Sequence, residues 1–542
     1  MAYLVGGNQQ FLVLKEGTER TTKKDAFSNN VAAAMAIAEA VKSTLGPKGL
    51  DKLMVDSLGD ITITNDGATI LKQIDVQHPT AKIMVEVAKT QDNEVGDGTT
   101  TSVILAGNIL SQVADLIQTG VHPSIVASGV NKALRRALQI VDEVAYLVED
   151  SDRELMRKVV STSMNSKMIG LGKDRLSELV LDAVLTLKED GLKNINRHIK
   201  NIKIVKKEGG SALTDTTLVK GIVLDKEILH SQMPREVRDA KIALVGYPLE
   251  FKKGTWDAKI SISSPDQMES FLDEEESIVN TKIQRLADAG VNVVFSSKTI
   301  DDVGISALNR AGIMAVKGLN KSDMDLIASA IGGSVLNSIE EASDKDFGTA
   351  DWVHESTIGD HKYIYIEGCK DPKALTMVIR GEGGKGLDEV ERGIHDALCI
   401  AATLVENPYV VGCGGAIEIE VSKQLLEFAK TFSGREQLVI ERFATALESI
   451  PKTLVDNAGL DAISIIGEIR SMHKTPDDVF YGYNLFTNQV EDMKASGVLE
   501  PAKLVKTAIQ TAAEAATMII RIDDVIKGSK GGHGGRTPPP MD

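Results

Sequence analysis

Cysteine is nearly absent: Cys369, Cys399 and Cys413 are the only three in 542 residues, far apart and without CxxC spacing. That scarcity argues against a disulfide framework and a structural zinc site, and it predicts a cytoplasmic protein in a reducing compartment. Aromatic residues make up only 4% of the chain, and basic residues are outnumbered, 61 Lys and Arg against 77 Asp and Glu, for a net charge of −16. With no long basic run and no interleaving of aromatic and basic residues, a nucleic-acid groove is not expected. No stretch approaches about eighteen uninterrupted apolar residues, so no membrane span is predicted. The start, Met1 to Gly7, lacks a basic segment followed by a long apolar one, so no signal peptide is expected either. A chain 42% hydrophobic and 25% charged is globular and too long for one core. Its length predicts about three domains.

What the chain does have is the stretch Gly96-Asp97-Gly98-Thr99-Thr100-Thr101, followed by the apolar run Ser102 to Ala106. Two glycines let the backbone turn sharply and approach a ligand closely. The threonines fall in the first turn of a helix, where orphan N–H groups and aligned peptide dipoles attract anions. Asp97 is a hard oxygen donor of the kind Mg²⁺ prefers. Gly and Thr also serve as plain N-caps, so the stretch alone leaves a phosphate site and a capped helix equally open.

Along the chain, Gln10 to Lys15 reads as a terminal strand, and Asn29 to Leu45 as an Ala-rich helix stopped by Gly46-Pro47. Ile61 to Thr64 alternates like a strand and runs into Asn65-Asp66-Gly67, a hairpin or tight-turn signal. Further helices are predicted from Thr99 to about Thr119 and from His122-Pro123 onward. Ser161 to Lys167 reads as a polar loop with Lys167 a solvated lysine. From about Thr214 the texture turns α/β, with buried-strand runs at Lys241 to Val245, Val291 to Phe295 and Gly312 to Val316. Ser264-Pro265-Asp266-Gln267 is a strong helix start. Helical texture returns at Leu387 to Val405, where His395 reads as a packed or surface histidine for want of a partner at ligand spacing. Gly412-Cys413-Gly414-Gly415 opens another helix, and Met518 to Ile522 reads as a last apolar strand. Gly528 to Pro540 is rich in glycine and proline and predicted to be disordered. Helical texture at both ends with α/β texture between predicts a nested arrangement, one domain built from both termini and another inserted, joined by two hinge crossings.

Several separated motifs, in order, carry a family resemblance: Thr44 to Gly49, Asn65 to Ile70, Gly96 to Thr101, Arg392 to Leu398 and Gly497 to Pro501. On these the chain resembles the group II chaperonins of the archaeal thermosome type, from Phe11 to Ile526. The resemblance implies a multidomain α+β protein. Residues 1–145 and 406–527 would form a mainly helical equatorial ATP-binding domain, and 146–213 with 372–405 a small intermediate α/β domain. Residues 214–371 would form an inserted apical α/β domain with a helical lid protrusion at about 252–277. It implies ATP and Mg²⁺ as ligands. Thr44, Leu45, Gly46, Pro47 and Asn65 would lie at the phosphates with Gly98, Thr99, Thr100 and Thr101, and Asp97 would hold the metal. Asp66 and Asp396 would position the attacking water, and Lys167 would sense the γ-phosphate. Gly414, Gly415, Asn484, Leu485 and Glu500 would line the nucleoside. Cys413 stands where the family carries a third glycine, and the Asp301-Asp302 helix lacks the family's aromatic and His–Tyr pattern. Implied partners are non-native client proteins and identical or paralogous subunits in two stacked rings of eight or nine, with no separate co-chaperonin. The strands Phe11 to Leu14 and Met518 to Ile522 would then pair with a neighbour's Asp60 to Thr64 hairpin, removing exposed edges.

Overall fold

The helix Thr99–Gln118 has apolar residues on almost every side, and the chain surrounds it. Val103, Ile109, Leu110 and Val113 are fully buried, each stabilising by about 1.5–3 kcal/mol relative to exposure. Helices Lys23–Lys42, Pro79–Val95, Arg435–Leu447 and Ala502–Ile520 pack around it. A Cβ on Gly107 would stand 2.6 Å from the Ala38 methyl, so that crossing is tight. Thr99–Gln118 is also, among the described helices, the one long and apolar enough to cross a bilayer, and here it forms a protein core.

The computed structural model describes residues 3–6, 9–12, 19–56, 59–165, 172–189, 194–199, 202–210, 215–250, 265–340, 342–358, 361–369, 375–381, 383 and 385–527. The chain divides into one unit, Met1–Ser166 with Asn407–Asp542, and a second, Lys167–Glu406. Lys167, residues 252–264 of the expected protrusion and the 528–542 tail lie outside the described residues.

In the first unit short antiparallel pairs join the helices. Lys52–Val55 pairs with Ile61–Thr64, and Tyr409–Gly412 lies between Leu499–Pro501 and Tyr146–Leu147. Two expectations change here. Asn65-Asp66-Gly67 is not a hairpin turn: the hairpin lies before it, between Val55 and Ile61, and Asp66 is the N-cap of the helix Gly67–Gln73. An Asx residue before a helix-forming run satisfies free helix N–H groups better than it serves a turn. Met518 to Ile520 is the last turn of Ala502–Ile520, because Ala512, Ala513, Ala516, Ile519 and Ile520 continue one buried helical face. The terminal strand is Asp524–Lys527, paired with Glu19–Thr22 of the same chain, and Gln9–Leu12 pairs with Tyr3–Gly6. Met518 to Ile520, being helical, therefore does not supply the strand expected to pair with a neighbour's Asp60 to Thr64 hairpin.

The second unit is α/β, so the chain as a whole is of mixed α and β structure. A seven-stranded sheet runs in the order Met314–Val316, Val293–Ser296, Glu236–Val245, Gly348–Ile358, His361–Cys369, Gly221–Leu224, with Val335–Leu336 also on Glu236–Val245. The first three are parallel, and the helix Asp302–Arg310 connects Val293–Ser296 to Met314–Val316 as a βαβ unit built on two of the predicted strand runs. A smaller sheet pairs Leu375–Gly381 in parallel with Ile202–Glu208 and antiparallel with Thr217–Val219. The helix Pro265–Asp288 starts at the predicted proline.

Candidate functional site

Two glycines in the left-handed region, Gly96 at φ 77° and Gly98 at φ 76°, turn the chain from the end of Pro79–Val95 into Thr99–Gln118. Asp97 sits between them, and its Oδ1 accepts from the Gly98 N–H at 2.7 Å. No side chain caps the Thr99 end, so its first N–H groups remain available to an anion. Gln91, fully buried, holds the turn: its Nε2 donates to the Asp97 carbonyl at 2.9 Å and to the Leu504 carbonyl at 3.4 Å.

A second helix start meets this one. The Asp66 carboxylate accepts from Thr69 N at 2.9 Å, Thr69 Oγ1 at 2.6 Å and Ala68 N at 3.3 Å, and Thr99 Oγ1 reaches it at 3.4 Å. A Cβ on Gly67 would stand 2.6 Å from Thr100 Oγ1, so only glycine lets the two helix starts approach this closely. Asp66, Asn65 and Asp97 to Thr101 are thereby gathered by the fold.

The Thr44 to Pro47 loop is fixed from far along the chain. Asn457 Nδ2 donates to the Lys42 and Leu45 carbonyls at 3.0 and 2.9 Å, and a Cβ on Gly46 would meet Leu454 at 2.3 Å. The Asp456-Asn457 segment is the end of the helix Ser449–Asn457 and holds that loop in place.

Gly414 and Gly415, at φ 67° and 84°, open the helix Ala416–Ala429, again without a side-chain cap. Tyr483 N donates to the Gly414 carbonyl at 2.9 Å. This brings the Tyr481–Asn484 strand, with the buried Asn484 and Leu485 at its end, against the glycine loop. Asn484 Nδ2 donates to Glu491 Oε1 at 2.6 Å. Glu500 is on the strand Leu499–Pro501, opposite Val411. Burial, with the Glu418 and Asp97 charges nearby, pushes the Glu500 carboxyl up. Burial likewise pushes Cys413 up, with Glu500 and Glu418 next in effect. Cys413, Glu418, Glu500 and Asp97 thus share one electrostatic neighbourhood.

Asp396 is on the second unit, buried, on the helix Lys385–Glu406. His395 beside it is exposed, with Nε2 3.8 Å from Cys399 Sγ, as expected of a surface histidine. Among the described residues no cluster of three or more His, Cys, Asp or Glu forms a ready metal cage. Mg²⁺ does not need one: it takes one or two carboxylates and completes its shell with phosphate and water. Asp97 fits that role, since only its Oδ1 is hydrogen-bonded among the described residues.

Three residues with site roles escaped the sequence reading. Gln91 carried a signal, a polar residue on the apolar stripe of Met84, Ala88 and Val95. Glu418 carried a similar one, an acid within an apolar helix start. Asn457 carried none, since its partners are more than 400 residues away.

The sequence pattern of the TCP-1/cpn60 chaperonin family matches residues 37–530. The chain is 47% identical over 532 residues to thermosome subunit alpha of Archaeoglobus fulgidus, covering 97% of both chains. Thermosome subunit beta of the same organism is 46% identical over 546 residues, covering 100% of this chain and 99% of its own. Thermosome subunit beta of Thermoplasma acidophilum is 45% identical over 520 residues, covering 96% and 95%. A match that spans both flanks of the inserted unit, together with the helix starts joined at Asp66 and Thr99, places the chain in the TCP-1/cpn60 chaperonin family.

Proposed function

We propose that the chain is one subunit of a group II chaperonin cage, in which ATP hydrolysis in the first unit drives closure over a non-native protein. The observation that supports this most is the junction at Asp66 and Thr99, where an uncapped helix N-terminus, a glycine turn and two aspartates meet. Uncapped N–H groups and threonine hydroxyls suit phosphate oxygens. Thr44 to Pro47, Asn65 and Gly98 to Thr101 bind the phosphates, and Asp97 holds Mg²⁺, which when bound offsets the charge that develops on them. Asp66 and Asp396 orient the attacking water, and Lys167 reads the γ-phosphate. Gly414, Gly415, Asn484, Leu485 and Glu500 line the nucleoside. Phosphoryl transfer asks for this kind of positioning more than for a covalent nucleophile.

On this reading residues 1–145 and 406–527 form the equatorial domain, 146–213 and 372–405 the intermediate hinge, and 214–371 the apical domain. The protrusion at about 252–277 is a built-in lid, which makes a detachable one unnecessary. The relatives are named as subunits, which supports assembly into two stacked rings of eight or nine, in the cytoplasm. Enclosure keeps a folding chain from other exposed hydrophobic surface.

Asp396→Ala tests the proposal. ATP turnover falls by at least about a hundredfold while ATP binding and the size of the assembly stay as in the wild type. Unchanged turnover would make the protein a non-catalytic scaffold. A wild-type protein that elutes as a monomer would make it a metabolic ATPase of another kind. Either result rejects the reading.

A further inference from the structure

His473 is buried, 3% exposed, and has no part in the reaction described above. It is the C-cap of the helix Ala462–Met472. Its Nε2 lies 2.7 Å from the Tyr481 carbonyl and its Nδ1 2.8 Å from Glu420 Oε2. A carbonyl only accepts, so Nε2 carries a proton, and the contact at Nδ1 holds a second proton between the ring and the carboxylate. The surroundings complete this pair. Gln424 Nε2 donates to Glu420 Oε1 at 2.8 Å, and Lys423 Nζ donates to the His473 carbonyl at 2.7 Å while lying 3.7 Å from Glu420. Burial pushes the Glu420 carboxyl up, but the hydrogen bonds from His473 and Gln424 and the Lys423 charge bring it below its ordinary value. Charges near the ring also include Lys474, its chain neighbour, and Asp478, which accepts from Thr475 N and Oγ1 at 2.9 and 2.8 Å.

The pair is anchored on the helix Ala416–Ala429, the helix opened by Gly414 and Gly415, and it grips the first residue of the strand Tyr481–Asn484. That strand lies hard against the glycine loop. Tyr483 N donates to the Gly414 carbonyl, and a Cβ on Gly482 would stand 2.5 Å from the Cys413 carbonyl. The strand is therefore fixed at its start by His473 and at its third residue by Gly414, and Asn484 and Leu485 follow from those two points.

We propose that His473 is a positioning residue for the nucleoside, sharing a buried proton with Glu420 and so setting the Tyr481–Asn484 strand against the Gly414 loop. This rests on the reading that Gly414, Asn484 and Leu485 face the nucleoside. A group that acts only through this wall changes nucleotide affinity and leaves the chemistry at Asp66 alone, so its removal raises KM and spares kcat.

The test is steady-state ATP hydrolysis by the assembled protein, with tripolyphosphate, which has no nucleoside, as a competing inhibitor. In His473→Leu the KM for ATP rises about tenfold, as for loss of one charge-assisted hydrogen bond. The kcat stays within about twofold, and inhibition by tripolyphosphate is unchanged. His473→Gln, whose amide keeps a donor for the Tyr481 carbonyl, recovers most of the affinity. Glu420→Gln decides the matter should the leucine variant fail to fold: its KM rises in the same direction, by about threefold or more. An unchanged KM in the folded variants overturns the proposal. So does a parallel loss of tripolyphosphate inhibition, which would mean general loosening. A wild-type protein that neither binds nor hydrolyses ATP rejects the ATPase reading itself, a result distinct from these.

Discussion

Replacing Gly67 with alanine sets helix propensity against the geometry of the site. Gly67 is the first residue of its helix and has no positive φ, so propensity alone favours alanine by up to about 1 kcal/mol. Against this, the new methyl would lie 2.6 Å from Thr100 Oγ1 and 3.1 Å from both Thr100 N and Thr99 Oγ1. Ordinary contact begins at 3.4 Å, so the Thr100 hydroxyl must move by about 0.8 Å and the Thr100 backbone by about 0.3 Å. Overpacking of this kind costs about 1–3 kcal/mol, which leaves a net destabilisation of about 0–3 kcal/mol. Catalysis is far less tolerant, because a displacement of about 1 Å between reacting groups costs on the order of a hundredfold. The variant therefore assembles, unfolds within a few degrees of the wild type, and hydrolyses ATP about a hundredfold more slowly at saturating nucleotide. Gly467→Ala is the control. It lies inside the helix Ala462–Met472 with nothing within 4 Å of its Cβ position; it gains about 0.5–1 kcal/mol and keeps full turnover. A Gly67→Ala protein with wild-type kcat would show that the Asp66 and Thr99 helix starts do not act together.

Asn457→Ala removes both donors that fix the Lys42 and Leu45 carbonyls. Denaturant titration should find it about 1–3 kcal/mol less stable, and ATP titration should find weaker binding. Gly415→Ala meets Pro451 Cβ at 2.4 Å and forces a side chain to φ 84°, so a drop of at least about 1–3 kcal/mol is expected in thermal unfolding. Lys207 is 2% exposed, with its ammonium 3.7 Å from the Tyr363 ring centroid. Burial, then the Arg380 charge, lowers its pKa from 10.5 to about 8. Between those values the folded protein binds fewer protons than the unfolded chain, so this group makes stability rise with pH across that window, and its cost is complete below it. Lys207→Met, similar in volume, is then more stable at neutral pH by on the order of 1 kcal/mol after the lost cation–π contact is allowed for. Urea denaturation at a series of pH values should show that gain shrinking as the medium approaches pH 10.5; a constant difference would refute the assignment.

The parts of the protein legible in the sequence are those fixed by neighbours in the chain. The helix start at Pro265, the stop at Gly120, the paired glycines around Asp97 and the glycines before Ala416 are set by capping and by φ angles open to glycine alone. The βαβ unit through Val293–Ser296 and Met314–Val316 was equally plain, because buried parallel strands read as unbroken apolar runs. Local rules misread Asn65-Asp66-Gly67, since the same three residues suit a turn and an N-cap, and the buried stripe that follows decides which. They also misread Met518 to Ile522, where an apolar run too short to show its period belongs to the end of a long helix.

What the sequence by itself determined, then, is where this chain bends, where its helices begin, and which residue types stand at those points. Only the tertiary structure decided which of those points meet. Thr99 reaches Asp66, Gln91 bridges Asp97 and Leu504, Asn457 holds Leu45, and Glu500 shares its surroundings with Asp97. The reason is physical. A cap or a glycine turn is stabilised within a few residues of itself, whereas a contact across four hundred residues exists only once burial of the Thr99–Gln118 helix has drawn both ends of the chain around it.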